Sequence, residues 1–321
     1  MKTLIAFVLA AFVLSGAALV SQTTYPQAEI SNGRVRARLY LPDVTSGYYR
    51  ATRFDWSGVI ESLEWNGHSY FGKWYAREHD PKGNDAITGP VDEFDSVGYD
   101  EAAAGESFVR IGVGAIRKPQ EPRFRQFSTY EIANPGTWSI QRRKDRVEFT
   151  HTLTDTGGYA YVYRKVVRLD GDAMVLEHHL RNTGRKVIAT SVYNHNFFML
   201  DNTPTGPDIV VRFPFEPKAV SPLNGLAEIR GREFVYPHEM QRSYQTELTG
   251  FGPTARDYDF RVENRKTGAG VRQVGDRPMS KINLWAPRTT VCPEAFIDLR
   301  VEPGKEESWN IRYEFYQVGS K

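Results

Sequence analysis

Short β-type runs separated by turn residues dominate the chain from about residue 35 onward. Within these runs apolar residues alternate with polar ones, or Val, Ile and aromatic residues follow one another, and Gly, Asn, Asp or Pro stands between the runs. No long stretch repeats its apolar residues with the 3.6-residue period of a helix. The pattern therefore predicts an all-β, antiparallel protein with strands in residues 35–41, 108–116, 147–153, 159–169, 173–180, 187–200, 256–262, 282–285 and 309–316.

Turn sequences and the absence of a linker refine this prediction. Asp-Gly-Asp at residues 170–172 and Asn-Thr-Gly at residues 182–184 are typical of tight hairpin turns, because Gly and Asn tolerate positive φ angles. No Pro/Ser-rich segment divides the strands, so we expect one large β-sandwich over residues 22–321. Residues 75–106 are rich in Gly, Asp and Glu and are expected to form long loops.

The N-terminal residues have the composition of a secretory signal peptide. Lys2 precedes an apolar run over residues 4–14, and small residues follow at 15–18. The apolar run is too short to cross a bilayer of about 30 Å as a helix. We expect residues 1–21 to be a cleaved signal peptide, the mature protein to be secreted or periplasmic, and no membrane attachment after cleavage.

Charge and cysteine content exclude several classes. The 41 basic and 39 acidic residues give a net charge of +2, which offers no basis for nucleic-acid binding. Cys292 is the only cysteine, so the sequence predicts no internal disulfide, no CxxC motif and no cysteine-ligated zinc site. An acidic cluster offers oxygen ligands for calcium but lacks the ordered spacing of a calcium loop, and solvated loop residues are the alternative: Asp80, Asp85, Asp92, Glu93 and Asp95.

Most histidines carry no catalytic signature. His178 and His179 are adjacent in a predicted strand, so they face opposite sides of the sheet, and we expect one exposed and one packed imidazole. His68 lies in a predicted turn, and His151 and His238 have no suggestive neighbours. The sequence does not contain the HExxH motif of zinc proteases, the GxGxxG motif of nucleotide-binding loops or the GxSxG motif of serine hydrolases, so none of these classes is supported.

The stretch SVYNHNFFML, residues 191–200, is the exception. It has the apolar character of a buried strand, yet His195 stands between Asn194 and Asn196. Each buried polar group without a hydrogen-bond partner costs roughly 1–3 kcal/mol. The three residues therefore belong either to a satisfied structural network or to a site whose chemistry needs an imidazole.

Strand alternation places Tyr193, His195 and Phe197 on one face of this stretch. Aromatic rings beside a titratable group suit a sugar, because the C–H faces of a sugar pack on rings and its hydroxyls form hydrogen bonds. A buried structural histidine is equally compatible with the spacing.

Residues 194–200 resemble the N-H-[ST]-Y-F-N-L strand of the aldose 1-epimerase (galactose mutarotase) family. The match covers Asn194, His195, Phe198 and Leu200. Phe197 is a close substitute, whereas Met199 departs from the family's asparagine. Residues 291–294 (Val-Cys-Pro-Glu), the Pro-Gly turn at 303–304 and residues 309–315 resemble the end of the family's sequence, where Glu294 falls at the catalytic glutamate. Arg53 and His79 occupy the order of a sugar-binding arginine and a second histidine.

This resemblance implies a galactose mutarotase-like β-supersandwich and an enzyme acting at the anomeric carbon of a sugar, without cofactor or metal. His195 would be the general acid and Glu294 the general base, and an ionised carboxylate beside the imidazole would raise the pKa of His195. The implied substrate contacts are Arg53, His79, Asn194, Tyr193 and Phe197.

Two other functions remain compatible with the sequence. One is a carbohydrate-binding protein that has lost catalysis on the same scaffold, since fold does not fix function. The other is a polysaccharide lyase or hydrolase, although a hydrolase ordinarily needs two carboxyl groups flanking the bond. The sequence specifies neither the sugar nor the oligomeric state.

Overall fold

The computed structural model describes residues 25–319, so the predicted signal peptide lies outside the described residues. The helical segments in this part of the chain are two 3-10 turns, Leu200–Asn202 and Ala255–Asp257. None of the described helices is long and apolar enough to cross a membrane.

Strands make up the rest of the regular structure within residues 25–319. In chain order they are β1 Gln27–Ser31, β2 Val35–Tyr40, β3 Val59–Trp65, β4 His68–Phe71, β5 Val91–Phe94, β6 Ser107–Arg110, β7 Gly114–Arg117, β8 Ile132–Asn134, β9 Thr137–Arg142, β10 Arg146–Thr156, β11 Tyr159–Asp170, β12 Ala173–Asn182, β13 Ile188–His195, β14 Ile209–Arg212, β15 Lys218–Ala219, β16 Glu228–Arg230, β17 Glu233–Val235, β18 Tyr244–Thr249, β19 Asp259–Asn264, β20 Ala269–Gly275, β21 Lys281–Ala286, β22 Cys292–Val301 and β23 Glu306–Gln317.

The described strands pair antiparallel in four sheets. The largest has ten strands in the order β16-β17-β14-β19-β20-β23-β12-β11-β10-β9, and the second has six in the order β15-β18-β21-β22-β13-β5. Two smaller sheets, β1-β2-β3-β4 and β6-β7-β8, complete the fold.

The core lies between the ten-stranded and six-stranded sheets. Phe94 on β5 packs edge-to-face on Tyr163 of β11 at 5.4 Å between ring centroids, and 6.2 Å from Trp309 of β23. Alternating burial along the long strands, as in β10 and β23, gives each sheet one apolar face for this core. The structure confirms the all-β sandwich predicted from the sequence.

The predicted strand pattern differs from the structure in several places. The interval expected to be loops contains β5, which pairs with β13. The hairpin predicted at residues 182–184 is a crossover between the two large sheets, held by the Asn182 side chain, which donates to the carbonyls of Lys186 and Val301 at 2.8 Å each. The predicted strand 108–116 is split into β6 and β7 around Gly112, whose φ is +77°.

Candidate active site

Register brings His195 and Glu294 to the same face of the six-stranded sheet. Tyr193 of β13 pairs with Phe296 of β22. Two residues forward on β13 and two residues back on β22, the same register places His195 opposite Glu294, with both side chains on one face. The Nε2 atom of His195 is 3.3 Å from Oε1 of Glu294, and both residues are almost fully buried. Two segments a hundred residues apart thus form one pair.

A pocket of about 360 Å³ opens above this pair. Alternate residues of the six-stranded sheet supply its floor, and loops supply its walls. It is lined by Arg53, Trp74, Asp85, Asp95, Gln126, Phe127, Tyr193, His195, Phe197, Gln245, Lys281, Asn283, Trp285, Glu294 and Phe296. Its volume and its mixture of aromatic and polar side chains are typical of a small-molecule site.

Aromatic rings fix the plane of the His195 imidazole. Phe197 stacks on it with centroids 3.8 Å apart and planes 6° apart, and Trp74 stacks on the far face of Phe197 at 5.0 Å. Trp285 meets the imidazole edge-on at 5.3 Å. The predicted strand ends at His195 because Phe197 adopts a left-handed backbone conformation, with φ at 48°, and this turn brings its ring over the imidazole.

Burial decides the protonation of the pair. It lowers the pKa of His195 well below its ordinary value, and the Arg53 guanidinium lowers it further. Burial also raises the pKa of Glu294 to about 8, against the opposing effect of Arg53. The sequence-based expectation of a raised His195 pKa is therefore wrong. Near neutral pH burial thus favours the neutral imidazole and the protonated carboxyl, which leaves one proton on the pair, at Glu294.

Arg53 lines the pocket as predicted, but carboxylates already engage it. Its Nε donates to Glu93 at 2.8 Å and its Nη1 to Asp85 at 2.5 Å. Its Nη2 donates to the Tyr193 hydroxyl at 3.2 Å, and that hydroxyl donates to Glu93. Arg53 and Tyr193 thus reach the pocket as parts of a fixed ionic network.

His79 does not line the pocket, in contrast to the sequence-based assignment. The hydroxyl of Tyr75 lies 2.8 Å from Nδ1 of His79, and the carbonyl of Tyr48 lies 2.8 Å from Nε2. The imidazole also stacks on the Tyr48 ring at 3.9 Å. Because both ring nitrogens already have protein partners, we assign His79 a structural role.

Asn194 also does not line the pocket. Its side chain points into the sandwich, where Nδ2 donates to Oδ1 of Asp92 at 2.6 Å. The neighbouring Asn196 donates to Gln273 at 2.9 Å and accepts from the Tyr313 hydroxyl. The three polar residues of the SVYNHNFFML stretch therefore divide between the two roles that the sequence allows. The asparagines belong to buried hydrogen-bond networks, and His195 faces the pocket.

Asp92 is the centre of a charged cluster inside the sandwich. Nζ of Lys165 is 2.6 Å from Oδ2 of Asp92 and 3.4 Å from Oδ2 of Asp55, and Nε2 of His178 is 3.1 Å from Asp92. His178 is the packed imidazole and His179 the partly exposed one, as the strand alternation predicts.

Three of the five acidic residues that offer calcium ligands in the sequence have ion-pair partners instead. Asp92 pairs with Lys165, and Asp85 and Glu93 pair with Arg53. Within residues 25–319 they do not form a group of ligand atoms suited to a cation; the group that does is His195, Cys292 and Glu294, whose ligand atoms lie within 4.8 Å of one another.

Imidazole, thiol and carboxylate are a donor set that zinc accepts. In this structure the backbone N–H of Phe197 donates to the Cys292 sulfur at 3.2 Å, and burial raises the pKa of the thiol. A metal ion would bind the thiolate and displace this proton, so a single cysteine does not by itself exclude a cysteine-ligated site. The contact between His195 and Glu294 also suits proton transfer between the two side chains.

Several pocket residues were not found from the sequence. Lys281, Asn283 and Trp285 alternate along β21 and share the face that carries the pair. Their alternation in the sequence indicates that the three side chains share one face of a strand. It does not reveal which sheet β21 joins, and so does not place them in the pocket. Trp74 and Phe127 come from loops, where no periodicity exists.

No protein-family model matches the sequence, and no curated protein matches it significantly. Solved structures do resemble the fold. A galactose mutarotase-related enzyme from Lactobacillus acidophilus has a TM-score of 0.57 at 10% identity, covering 92% of this chain and 99% of that one. An aldose epimerase homologue from C. elegans has 0.55 at 13%, covering 92% and 100%. A galactose mutarotase-like protein from Clostridium acetobutylicum has 0.57 at 11%, covering 90% and 95%. The chain has the galactose mutarotase-like fold.

Proposed function

We propose that this protein is an aldose 1-epimerase-like enzyme that interconverts the anomers of a sugar. The observation that carries the proposal is the His195–Glu294 pair, 3.3 Å apart at the floor of a pocket lined by aromatic and polar side chains. Anomer exchange requires one enzyme group that donates a proton to the sugar and another that accepts a proton from it. The fold shared with galactose mutarotase-like proteins supports the same conclusion.

The reaction consists of two proton transfers in each direction. The acid gives a proton to the ring oxygen while the base removes the proton of the anomeric hydroxyl, and the C1–O5 bond breaks to leave the aldehyde. The C1–C2 bond then rotates by half a turn. Reversing both transfers closes the ring on the other face, so the enzyme ends with the proton count with which it began.

A single proton on the pair is sufficient for this cycle. In the free protein the proton resides on Glu294, because burial disfavours a charged imidazole. Moving it across 3.3 Å to His195 produces imidazolium and carboxylate, the form in which His195 is the acid and Glu294 the base. We propose that sugar hydroxyls entering the pocket favour this form by solvating both charges.

Other pocket residues would hold the sugar. The side chains of Gln245, Lys281 and Asn283 offer hydrogen bonds to hydroxyls, and the rings of Trp285 and Phe296 offer faces for its C–H groups. Phe197 supports the imidazole from behind by stacking on it. The ion pairs of Arg53 with Glu93 and Asp85 keep a positive charge beside Glu294 and favour its ionised form.

The pH dependence of kcat/KM follows from the one-proton state. We expect a plateau through neutral pH and a tenfold fall per pH unit above about pH 8, where Glu294 gives up the remaining proton. On the acid side the plateau extends below pH 6.5, because the pKa of His195 is lowered. The profile is measured by anomer exchange from pH 4 to 10. A basic limb near pH 6.5 would contradict this assignment.

Replacing His79 distinguishes its structural role from sugar binding. In His79→Gln we expect less than a twofold change in KM, because His79 does not line the pocket. We expect a loss of about 1 kcal/mol in the free energy of unfolding, because two hydrogen bonds and a stacked ring are disturbed. Urea unfolding and exchange kinetics measure the two effects. A tenfold rise in KM at unchanged stability would make His79 a ligand.

The direct test of the proposed function is anomer exchange by NMR, with a panel of aldoses at a pH where spontaneous exchange is slow. Acceleration by the purified protein, lost in variants of the pair, supports the enzyme. Saturable sugar binding without acceleration would favour the non-catalytic carbohydrate-binding protein. We further propose that the protein acts on sugars outside the cytoplasm, which the composition of residues 1–21 supports.

A further inference from the structure

Phe127 is an exposed aromatic ring at the mouth of the pocket. It is 68% exposed, and the other large apolar side chains of comparable exposure among residues 25–319 are Val44 and Val220. Phe127 is the aromatic one of the three and the one that lines the pocket. Burying a phenyl ring away from water is favourable, so a ring that stays exposed lacks this stabilisation. An exposed ring at the mouth of a site indicates a binding contact.

The loop that carries Phe127 is anchored to the site. It connects β7 to β8, and its Gln126 side chain donates to Oε1 of Glu93 at 2.7 Å. The Arg53 guanidinium lies 4.8 Å from the centroid of the Phe127 ring. Nearby, the buried Tyr130 accepts a hydrogen bond from the backbone of Arg125 at 2.8 Å. These contacts position the ring at the mouth without covering it.

The depth of the catalytic pair fixes how a sugar must enter. His195 and Glu294 are 5% and 3% exposed, at the floor, whereas Phe127 is exposed at the mouth. The anomeric carbon must reach the pair, so the opposite edge of the sugar ring, which carries C3 and C4, faces the mouth. A substituent on that edge leaves the pocket next to Phe127.

We propose that Phe127 is a stacking platform for a second sugar ring, so that the preferred substrate is the reducing end of an oligosaccharide. This inference rests on the proposed function. The C–H face of the second ring packs on the phenyl ring, as sugar faces do on aromatic side chains. Asp85 and Gln126 also line the pocket. The carboxylate of Asp85 accepts hydrogen bonds from hydroxyls of the second sugar ring, and the amide of Gln126 donates to them.

The experiment compares reducing disaccharides with their monosaccharide: maltose and cellobiose against glucose, and lactose alongside them. Anomer exchange gives kcat/KM, and calorimetric titration gives the affinity independently of catalysis. In the wild type we expect at least one disaccharide to exceed glucose in both quantities. In Phe127→Ala the ratio of disaccharide to monosaccharide kcat/KM should fall about tenfold, and Phe127→Tyr should retain it.

Val220→Ala is the matched control, because it shortens an equally exposed apolar side chain outside the pocket, and it should leave the ratio unchanged. The proposed role of Phe127 is overturned if the wild type binds no disaccharide more tightly than glucose. It is also overturned if Phe127→Ala leaves the ratio of disaccharide to glucose affinity unchanged. If no sugar is exchanged, the proposed function fails, and the affinity ratio still decides the role of Phe127. A change of oligomeric state in Phe127→Ala with unchanged sugar affinity would assign the ring to an interface and also overturn the proposal.

Discussion

Glu294→Gln is expected to lower anomer exchange about a thousandfold while leaving the protein folded. The amide preserves the shape of the side chain but neither accepts nor releases a proton in the reaction, and positioned acid/base groups contribute roughly 10²–10⁴ in rate. Among the described residues, Glu294 is the carboxylate within 4 Å of His195, and both side chains face the pocket. NMR exchange at saturating sugar measures the loss in kcat.

The stability of Glu294→Gln separates catalysis from folding. The pKa of Glu294 is raised to about 8, so between the ordinary value near 4.5 and 8 the unfolded chain ionises this group and the folded protein does not. The wild type therefore loses stability as pH rises through this range, and the glutamine variant escapes that loss. We expect a melting temperature at pH 8 equal to or above that of the wild type. Full activity in this variant would remove Glu294 from the mechanism.

Lys165→Met is expected to cost about 3–5 kcal/mol of unfolding free energy, the usual cost of leaving a buried charge without its partner. Lys165 is fully buried, and its ammonium is the cation in contact with Asp92 and Asp55. Burial alone would raise the pKa of Asp92, but Lys165 and His178 outweigh this effect and hold it low. Without the ammonium, Asp92 is a buried carboxylate facing a second one. Urea unfolding at pH 7 measures the change.

Lys186→Met is the control for this effect. Lys186 pairs with Glu101 at 2.7 Å, but both side chains are about half exposed, and such pairs contribute at most about 1 kcal/mol. Equal losses in the two variants would mean that burial does not strengthen the Lys165 cluster. The cluster also has a functional consequence, because Asp92 accepts from Asn194, the residue before His195. A loosened cluster should therefore reduce exchange as well as stability.

The sequence predicted the all-β sandwich and singled out His195 and Glu294, whose side chains the structure places 3.3 Å apart. Alternating runs and turn residues predicted an antiparallel sandwich, because side-chain alternation and the conformational freedom of Gly and Asn are local properties. His195 stood out because a polar residue in an apolar strand costs free energy. Glu294 was reached by resemblance to a known family, and the register of β13 with β22 then placed it opposite His195.

The tertiary structure decided which side chains share the pocket and how they are charged. His79 and Asn194 matched the expected residue types, yet their partners lie elsewhere in the fold, because hydrogen bonding depends on neighbours that are distant in the sequence. The pKa of His195 is lowered where adjacency to a carboxylate predicted a rise, because desolvation depends on how many atoms surround a group. The residue order of this protein determines which segments form strands and which polar residues interrupt them, because alternation and turn preferences are local. Only packing determines that His195 and Glu294 meet in one pocket and how burial shifts their pKa values.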